Sequence, residues 1–379
     1  MGVKHTSSLM PGHPTLSTTL GTFIGLLDSV LVTGYGLVSV TAASASSGDI
    51  VFTAPGHVAS AGLTVTVTGS TNSAVNGEHI VTATTTGTVT IHVAGVADGA
   101  IGGTMSIKIS PFGWTKYFSA TNKAAYKSAS GKYLVVDDSV NFRYATVRGY
   151  GSMTDIDTGT DPFPSVSQQS AGLYWFRQGV GAASPSDIQY LIVGDEYGFY
   201  INIGCVSGSG PTWFFGDIVS NKPADSAATV LIGARSSSEY QGQCYDMAYC
   251  QANDSQTFGY IQKPYSLLSG SSPVAAVHDF MQNTSTYSGC GSFNIGAYPN
   301  PSDNGLRLSQ VLCCVSADVR GVFPGIWSIP QPAQSIGFCD TVPGAGITSG
   351  RTLMAGKCAG IYSTNYNGTV MFDVTGPWR

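Results

Sequence analysis

From Lys132 to Pro164 the chain reads KYLVVDDSVNFRYATVRGYGSMTDIDTGTDPFP, and the first half of this stretch alternates around a turn. Tyr133, Leu134, Val135 and Val136 climb to Asp137-Asp138-Ser139, and Asn141 to Val147 return. On the return strand Phe142, Tyr144 and Thr146 share one face and Arg143, Ala145 and Val147 the other, the period of a β-hairpin. Asp137 and Asp138 are expected at the tip, where aspartate favours turns, and Arg143 and Arg148 are expected to keep the strand partly solvated. Gly149, Gly151, Gly159, Pro162 and Pro164 then stop any regular ladder, so a structured loop leaves the hairpin.

A chain assembled from such hairpins has little use for helix formers. Charged residues make up 10% of this one, against about 25% in an average domain. There are 48 glycines, and the only glutamates are Glu78, Glu196 and Glu239. Strands joined by tight turns are the expectation. The fold class predicted is mainly β, a sandwich or barrel-like main domain with one N-terminal amphipathic helix and an inserted small β module of immunoglobulin-like type. At 379 residues the chain is long enough for two or three domains.

The net charge of −5, with Lys and Arg scattered singly, offers no basic stripe to follow a phosphate backbone, so direct nucleic-acid binding is not expected. No run of about 18 apolar residues occurs, and the N-terminus MGVKHTSSLMPGHPTL lacks the apolar core of a secretory signal. Met1-Gly2 fits the myristoylation pattern only generically. Low charge with positive mean hydropathy and no membrane span suggests apolar surface covered by other subunits, hence a homo-oligomer.

Leu16, Leu20, Phe23, Ile24, Leu27, Val30 and Leu31 fall at helical spacing, which predicts a helix from Pro14 to Gly34, capped by Thr15 or Ser17 and closed by Gly34 or Gly36. Residues 1–40 therefore read as an arm and helix packed on the main domain. From 41 to 110 short strands recur between Gly and Asn turns, at Ile50–Thr53, Leu63–Val67, Glu78–Thr84, Thr88–His92 and Thr104–Ile109, which indicates a small sandwich or barrel. Its expected core is Val65, Val67, Ile80, Val81, Val89, Ile91, Met105 and Ile107. The main domain resumes over 111–379, with strands expected at Leu173–Arg177, Gln189–Val193, Gly198–Ile203, Trp213–Val219, Val230–Gly233, Met247–Cys250, Leu306–Val315 and Val322–Trp327. Two short helical turns are expected at Pro273–Met281.

Little in the sequence points to reaction chemistry. The acidic stretch Asp155-Ile156-Asp157-Thr158-Gly159-Thr160-Asp161 opens like a calcium loop, which makes Asp155, Asp157 and Asp161 the one metal candidate. Thr160 stands where such a loop needs Gly, and Val166 where it needs a bidentate Glu, so an Asx-rich turn is the competing reading. His57, His79 and His92 match no ligand spacing, and turn or surface histidines are the preferred reading. All eight cysteines lie beyond residue 200 without a CxxC pair, and buried reduced thiols are expected. No G-x-S-x-G elbow, P-loop or dinucleotide fingerprint occurs, and no catalytic residue or cofactor is assigned. Trp114, Tyr117, Tyr133, Phe142 and Tyr144 form an aromatic set suited to a core or a subunit interface, and the penultimate Trp378 is expected to be tucked against its own domain.

Taken in order, LVTGYG, a Ser/Thr-rich β insert, GWTKYFSATNKAAYKS, YLVVDD, RGYGSMTDIDTGTDPFP, LYWFRQ, GRTLMAGK and FDVTGPWR resemble a family of tailed-bacteriophage virion proteins. The resemblance covers about 14–40 and 111–379, and the insert is similar to small β modules of phage tail and fibre proteins. What it implies is a non-enzymatic structural protein of the tail or baseplate region, a minor structural protein, assembled in the host bacterial cytoplasm and present in the virion. Its implied partners are its own copies and other tail or capsid proteins. A capsid decoration or collar protein, and a receptor-binding protein that recognises a host-surface glycan, are the alternatives.

Overall fold

The computed structural model describes residues 2–178, 183–204, 210–237, 259–278, 298–300, 302–316, 318–329, 335–358 and 368–379. The chain is mainly β, 49% strand and 6% helical, in large antiparallel sheets that include a curled half-barrel. Continuous apolar runs set the largest sheet. Tyr190 to Val193, Phe199 to Ile203 and Trp213 to Phe215 are buried at every position, a pattern that requires cover on both faces of a strand.

That cover comes from the sheet itself and from a second one. The thirteen-stranded sheet starts with Lys4–Ser7 beside Gln189–Gly194 and runs through Gly198–Gly204, Thr212–Asp217, Thr229–Ile232, Gly259–Ile261, Ser272–His278, Ser309–Val315 and Asp318–Ser328. It ends with Gly368–Asp373, Thr352–Cys358 and Thr341–Pro343, and Val219–Ser220 pairs off its path with Asp318–Ser328. The late strands turn back over the early ones: the Tyr200 ring lies 5.4 Å from Phe372 and 5.6 Å from Trp378. Asn202 joins the same layers, donating from Nδ2 to Lys357 O at 3.1 Å and accepting from Lys357 N at 3.2 Å.

The other face is covered by a five-stranded sheet, Thr115–Ala120, Lys123–Lys127, Tyr133–Asn141, Tyr144–Tyr150 and Leu173–Phe176. Trp175 carries the contact, 5.9 Å from Phe199 and donating Nε1 to Ile232 O at 2.7 Å.

The hairpin forms, but its turn is not at Asp137-Asp138-Ser139. The first strand continues to Asn141, the register closes at Asn141 opposite Tyr144, and Phe142-Arg143 make the turn. Asp138 is fully buried. Its Oδ2 accepts from Gly21 N (2.7 Å), Phe23 N (3.1 Å) and Arg177 Nη1 (3.0 Å), and its Oδ1 pairs with Arg177 Nη2 at 2.7 Å. Burial lifts this carboxyl above the usual aspartate range, against the pull of Arg177 and the two amides. Arg148 is not solvated either. It is buried and donates to the carbonyls of Pro164, Gln169 and Ser170, fixing the loop that follows.

The same carboxylate explains where the helix begins. It spans Thr22–Leu27 and passes into a π-helical turn, Asp28–Thr33, that ends at Gly34. The expected start at Pro14 is too early, and neither Thr15 nor Ser17 caps it. Gly21 stands at the N-cap in the left-handed region (φ 88°) without a side chain to offer. Asp138 supplies the missing acceptor from the hairpin.

Residues 35–109 form an eight-stranded sheet with its own core, which includes Ile50, Phe52, Val65, Val67, Val81, Val89, Ile91, Met105 and Ile107. Tyr35–Ser39 pairs with Gly103–Ile109, so the sheet starts ahead of residue 41. Ile80 is not in the core but 65% exposed, because its neighbour Val81 takes the inward position and consecutive strand residues face opposite ways. Ser272–His278 is a strand rather than helical turns, held between Gly259–Ile261 and Ser309–Val315. The expected strand Met247–Cys250 lies outside the described residues, as do Cys205, Cys244, Cys250 and Cys290. Cys313, Cys314 and Cys339 are free thiols, and burial pushes Cys339 up to about 12 and Cys313 higher still.

Asp138→Ala is expected to destabilise the protein by about 3–5 kcal/mol, since it leaves a buried guanidinium unpaired and uncaps the helix. The double variant Asp138→Leu/Arg177→Met should lose less than Asp138→Leu and Arg177→Met combined; chemical denaturation of the wild type, these two single variants and the double variant measures the difference. The boundaries of the eight-stranded sheet give a second test. A Cβ on Gly34 would lie 2.3 Å from Ile109 O, so the ends of 35–109 are adjacent. Joining Gly34 directly to Ser110 should leave a soluble remainder with one cooperative melt, and aggregation on expression would contradict it.

Candidate functional site

The N-terminal strand, Lys4–Ser7, helps to wall a cleft. Pairing of Lys4 with Gly194 sets the Lys4 ammonium, itself only 4% exposed, against Glu78 (2.5 Å) and Pro111 O (2.5 Å). A buried ammonium is tolerated only when its donors are used, and here they tie the main domain to the insert. Thr6 Oγ1 meets Tyr35 OH at 3.3 Å on the same side. Beside the Lys4–Glu78 pair opens a cleft of about 840 Å³ whose lining includes His5, Leu63, Glu78, Ile80, Thr352 and Met354.

The cleft is close to neutral electrostatically. Glu78 is matched by Lys4. Burial pushes the His5 imidazole down from 6.5 to about 4, so it is uncharged at neutral pH. His79 spends Nε2 on Val75 O at 3.0 Å. What remains are methyl, thioether and hydroxyl groups, an arrangement suited to holding a chain or an extended surface rather than to moving protons.

The aromatic set does not converge on one place. Trp114 is buried, donates Nε1 to Asp195 O at 2.9 Å and lies 5.4 Å from Phe199. Trp378 is buried and donates Nε1 to Asp373 O at 2.9 Å. Phe142 sits beneath Arg143 at the hairpin turn (5.3 Å), and Tyr144 packs edge-on to Tyr174 at 4.9 Å. Tyr117 and Tyr133 pair at 5.6 Å under Lys127, with Tyr133 buried and Tyr117 exposed.

Nor do the acids gather. Asp155 Oδ1 accepts from Asp157 N at 2.8 Å, an Asx turn, and Asp157 pairs with Lys123 at 2.5 Å. Asp161 lies at φ 48° at the end of the loop. Among the described residues no group of three or more His, Cys, Asp or Glu is placed to hold a metal ion. His57, His79 and His92 bond separately to Thr85 O, Val75 O and Asp49.

Sequence reasoning missed Lys4, His5 and Glu78. A signal was available, because Lys4 and Lys108 are the only cationic Lys or Arg side chains in the first 110 residues, and each therefore has a specific partner to find. Lys108 bonds Thr33 O at 2.7 Å at the base of the insert. No protein-family model and no curated protein matches the chain.

His5 makes stability pH-dependent with a definite sign. Its folded pKa is depressed, so between about pH 6.5 and 4 the unfolded chain binds a proton that the folded one does not, and stability is lost as pH falls through that window. His5→Gln should remove about 1–3 kcal/mol of that loss, read as the difference in denaturation free energy between about pH 7 and about pH 4.5 for the two proteins. Parallel pH profiles would show that the imidazole titrates freely in the folded state.

Proposed function

We propose that this chain is a non-enzymatic structural component of a tailed-bacteriophage virion, set in the tail or baseplate region as a symmetric homo-oligomer with the 35–109 module projecting. One observation carries the reading: the residues of the phage-like motifs are committed to architecture. In RGYGSMTDIDTGTDPFP, Arg148 holds three carbonyls. Gly149 exchanges backbone bonds with Phe163, N to O at 3.0 Å and 2.9 Å. A Cβ on Gly149 would meet the Phe163 ring at 2.3 Å. In YLVVDD, Asp138 caps the helix. In FDVTGPWR, Asp373 accepts from Thr375 N and Gly376 N and Trp378 closes on the folded sheet.

Residues engaged in this way hold a shape. Closed symmetry is the usual form of such subunits, and a low-charge surface favours contact between copies.

Immunogold electron microscopy on virions of the encoding phage, with antibody raised to the 35–109 module, tests the reading. Label on the tail or its tip is the expected result. Label over the head would make this a capsid decoration protein. Virions that carry no peptide of this chain by mass spectrometry would overturn the proposal altogether.

A further inference from the structure

The short strand Lys4–Ser7 joins two bodies. It forms one end of the thirteen-stranded sheet and, among the described strands, pairs only with Gln189–Gly194. Consecutive strand side chains point to opposite sides, and here the two sides serve different bodies. Lys4 and Thr6 face the insert, on Glu78 and Tyr35. Val3 belongs to the main-domain core and Ser7 bonds the Cys339 thiol, so His5 between them shares the main-domain side, at the wall of the cleft. Four residues paired along one edge are cheap to peel away, and these two fastenings of the insert would leave with them.

The groups around His5 decide when the strand can peel. Facing it along Gln189–Gly194 are Ile192, Val193 and Gly194, none of which titrates. From the insert come Glu78, already paired with Lys4, His79, bonded to Val75 O, and Tyr35, bonded to Thr6. At the far end of the sheet the Cys339 thiol is held neutral by burial, Asp340 accepts from Gly337 N at 2.6 Å, and Asp373 pairs with Arg351. Among the described residues no carboxylate is paired with His5, and Lys4 beside it is already a cation. An imidazolium here gains by moving into water.

We propose that Lys4–Ser7 is an acid-released strap: protonation of His5 detaches the strand from Gln189–Gly194 and frees the insert to reorient, while both bodies stay folded. The sign follows from the docked imidazole, which burial holds down to about 4 and which returns to 6.5 on release. Docking is complete above that window and is lost as pH falls through it. The strap is a property of the joint and draws nothing from the virion reading.

Hydrogen–deuterium exchange of the full chain at about pH 7 and about pH 4.5 tests it, read by mass spectrometry and corrected for the intrinsic rate at each pH. At the lower pH, peptides covering 3–8 should exchange about tenfold faster or more, while Gly198–Gly204 and Thr88–His92 keep their protection. Small-angle scattering should broaden its distribution of particle dimensions over the same interval. His5→Gln should abolish both changes, with His5→Asn as a second variant that cannot titrate; wild-type protection of Gly198–Gly204 near pH 7 shows that either is folded. Acceleration that persists in both variants would assign the release to Glu78 and overturn the proposal. So would unchanged protection of 3–8, its loss together with that of Gly198–Gly204, or scattering that does not change with pH.

Discussion

Two charges shut away from solvent, Asp138 and Arg177, hold the main domain to one arrangement. Through them the helix start at Gly21 and Phe23, the strand Tyr133–Asn141 and the end of Leu173–Phe176 share one network. Arg177 also donates from Nε to Phe142 O at 2.8 Å and from Nη2 to Asn141 O at 3.1 Å, so it shapes the hairpin turn as well. Desolvating such a pair costs several kcal/mol per ion, and the cost is recovered only if every lone pair and proton is used. Nearly all are used here, and only with the helix, the turn and the last strand in one mutual position. The pair therefore acts mainly to specify the arrangement, and apolar burial around it supplies the stability.

This network marks the limit of what the sequence could disclose. Alternation and apolar runs are local properties, and they placed Gln189–Gly194, Gly198–Gly204 and Thr88–His92 within a residue or so. Asp137-Asp138-Ser139 has the composition of a turn, and what overrides that composition sits 39 residues away at Arg177 and 115 away at Phe23. The helix was read too long for a related reason: Leu16 and Leu20 keep the helical spacing, yet the positive φ of Gly21 breaks it and the replacement cap comes from the hairpin. Ser272–His278 is made of residues that suit a helix as well as a strand, and neighbouring strands decide. The polar pair beside the cleft was the least legible, since Lys4 and Glu78 are 74 residues apart and no pattern links them.

Scarcity of charge also has a cause within the chain. Where the thirteen-stranded sheet lies between its own returning strands and the five-stranded sheet, neither face of the strand meets water from Gly198 to Ile203. Such strands have no position for Lys or Glu, and the few ions that are buried, among them Lys4, Asp138, Arg148, Arg177, Arg320 and Asp373, are held by partners. Part of the low charge content is thus the signature of a layered β fold, so contact between subunits has less of it to explain.

The insert is fastened by different means. Its core is separate from that of the main domain, with Met10 of the N-terminal arm packed against it. Its fastening is also polar and directional: Lys4 reaches Glu78 and Pro111 O, Thr6 meets Tyr35, and Lys108 reaches Thr33 O. Apolar contact tolerates sliding, whereas a buried ammonium with named acceptors does not, because any displacement leaves a charge unpaired out of water. A module that must keep one direction relative to its parent domain is better served by that kind of joint than by a second shared core.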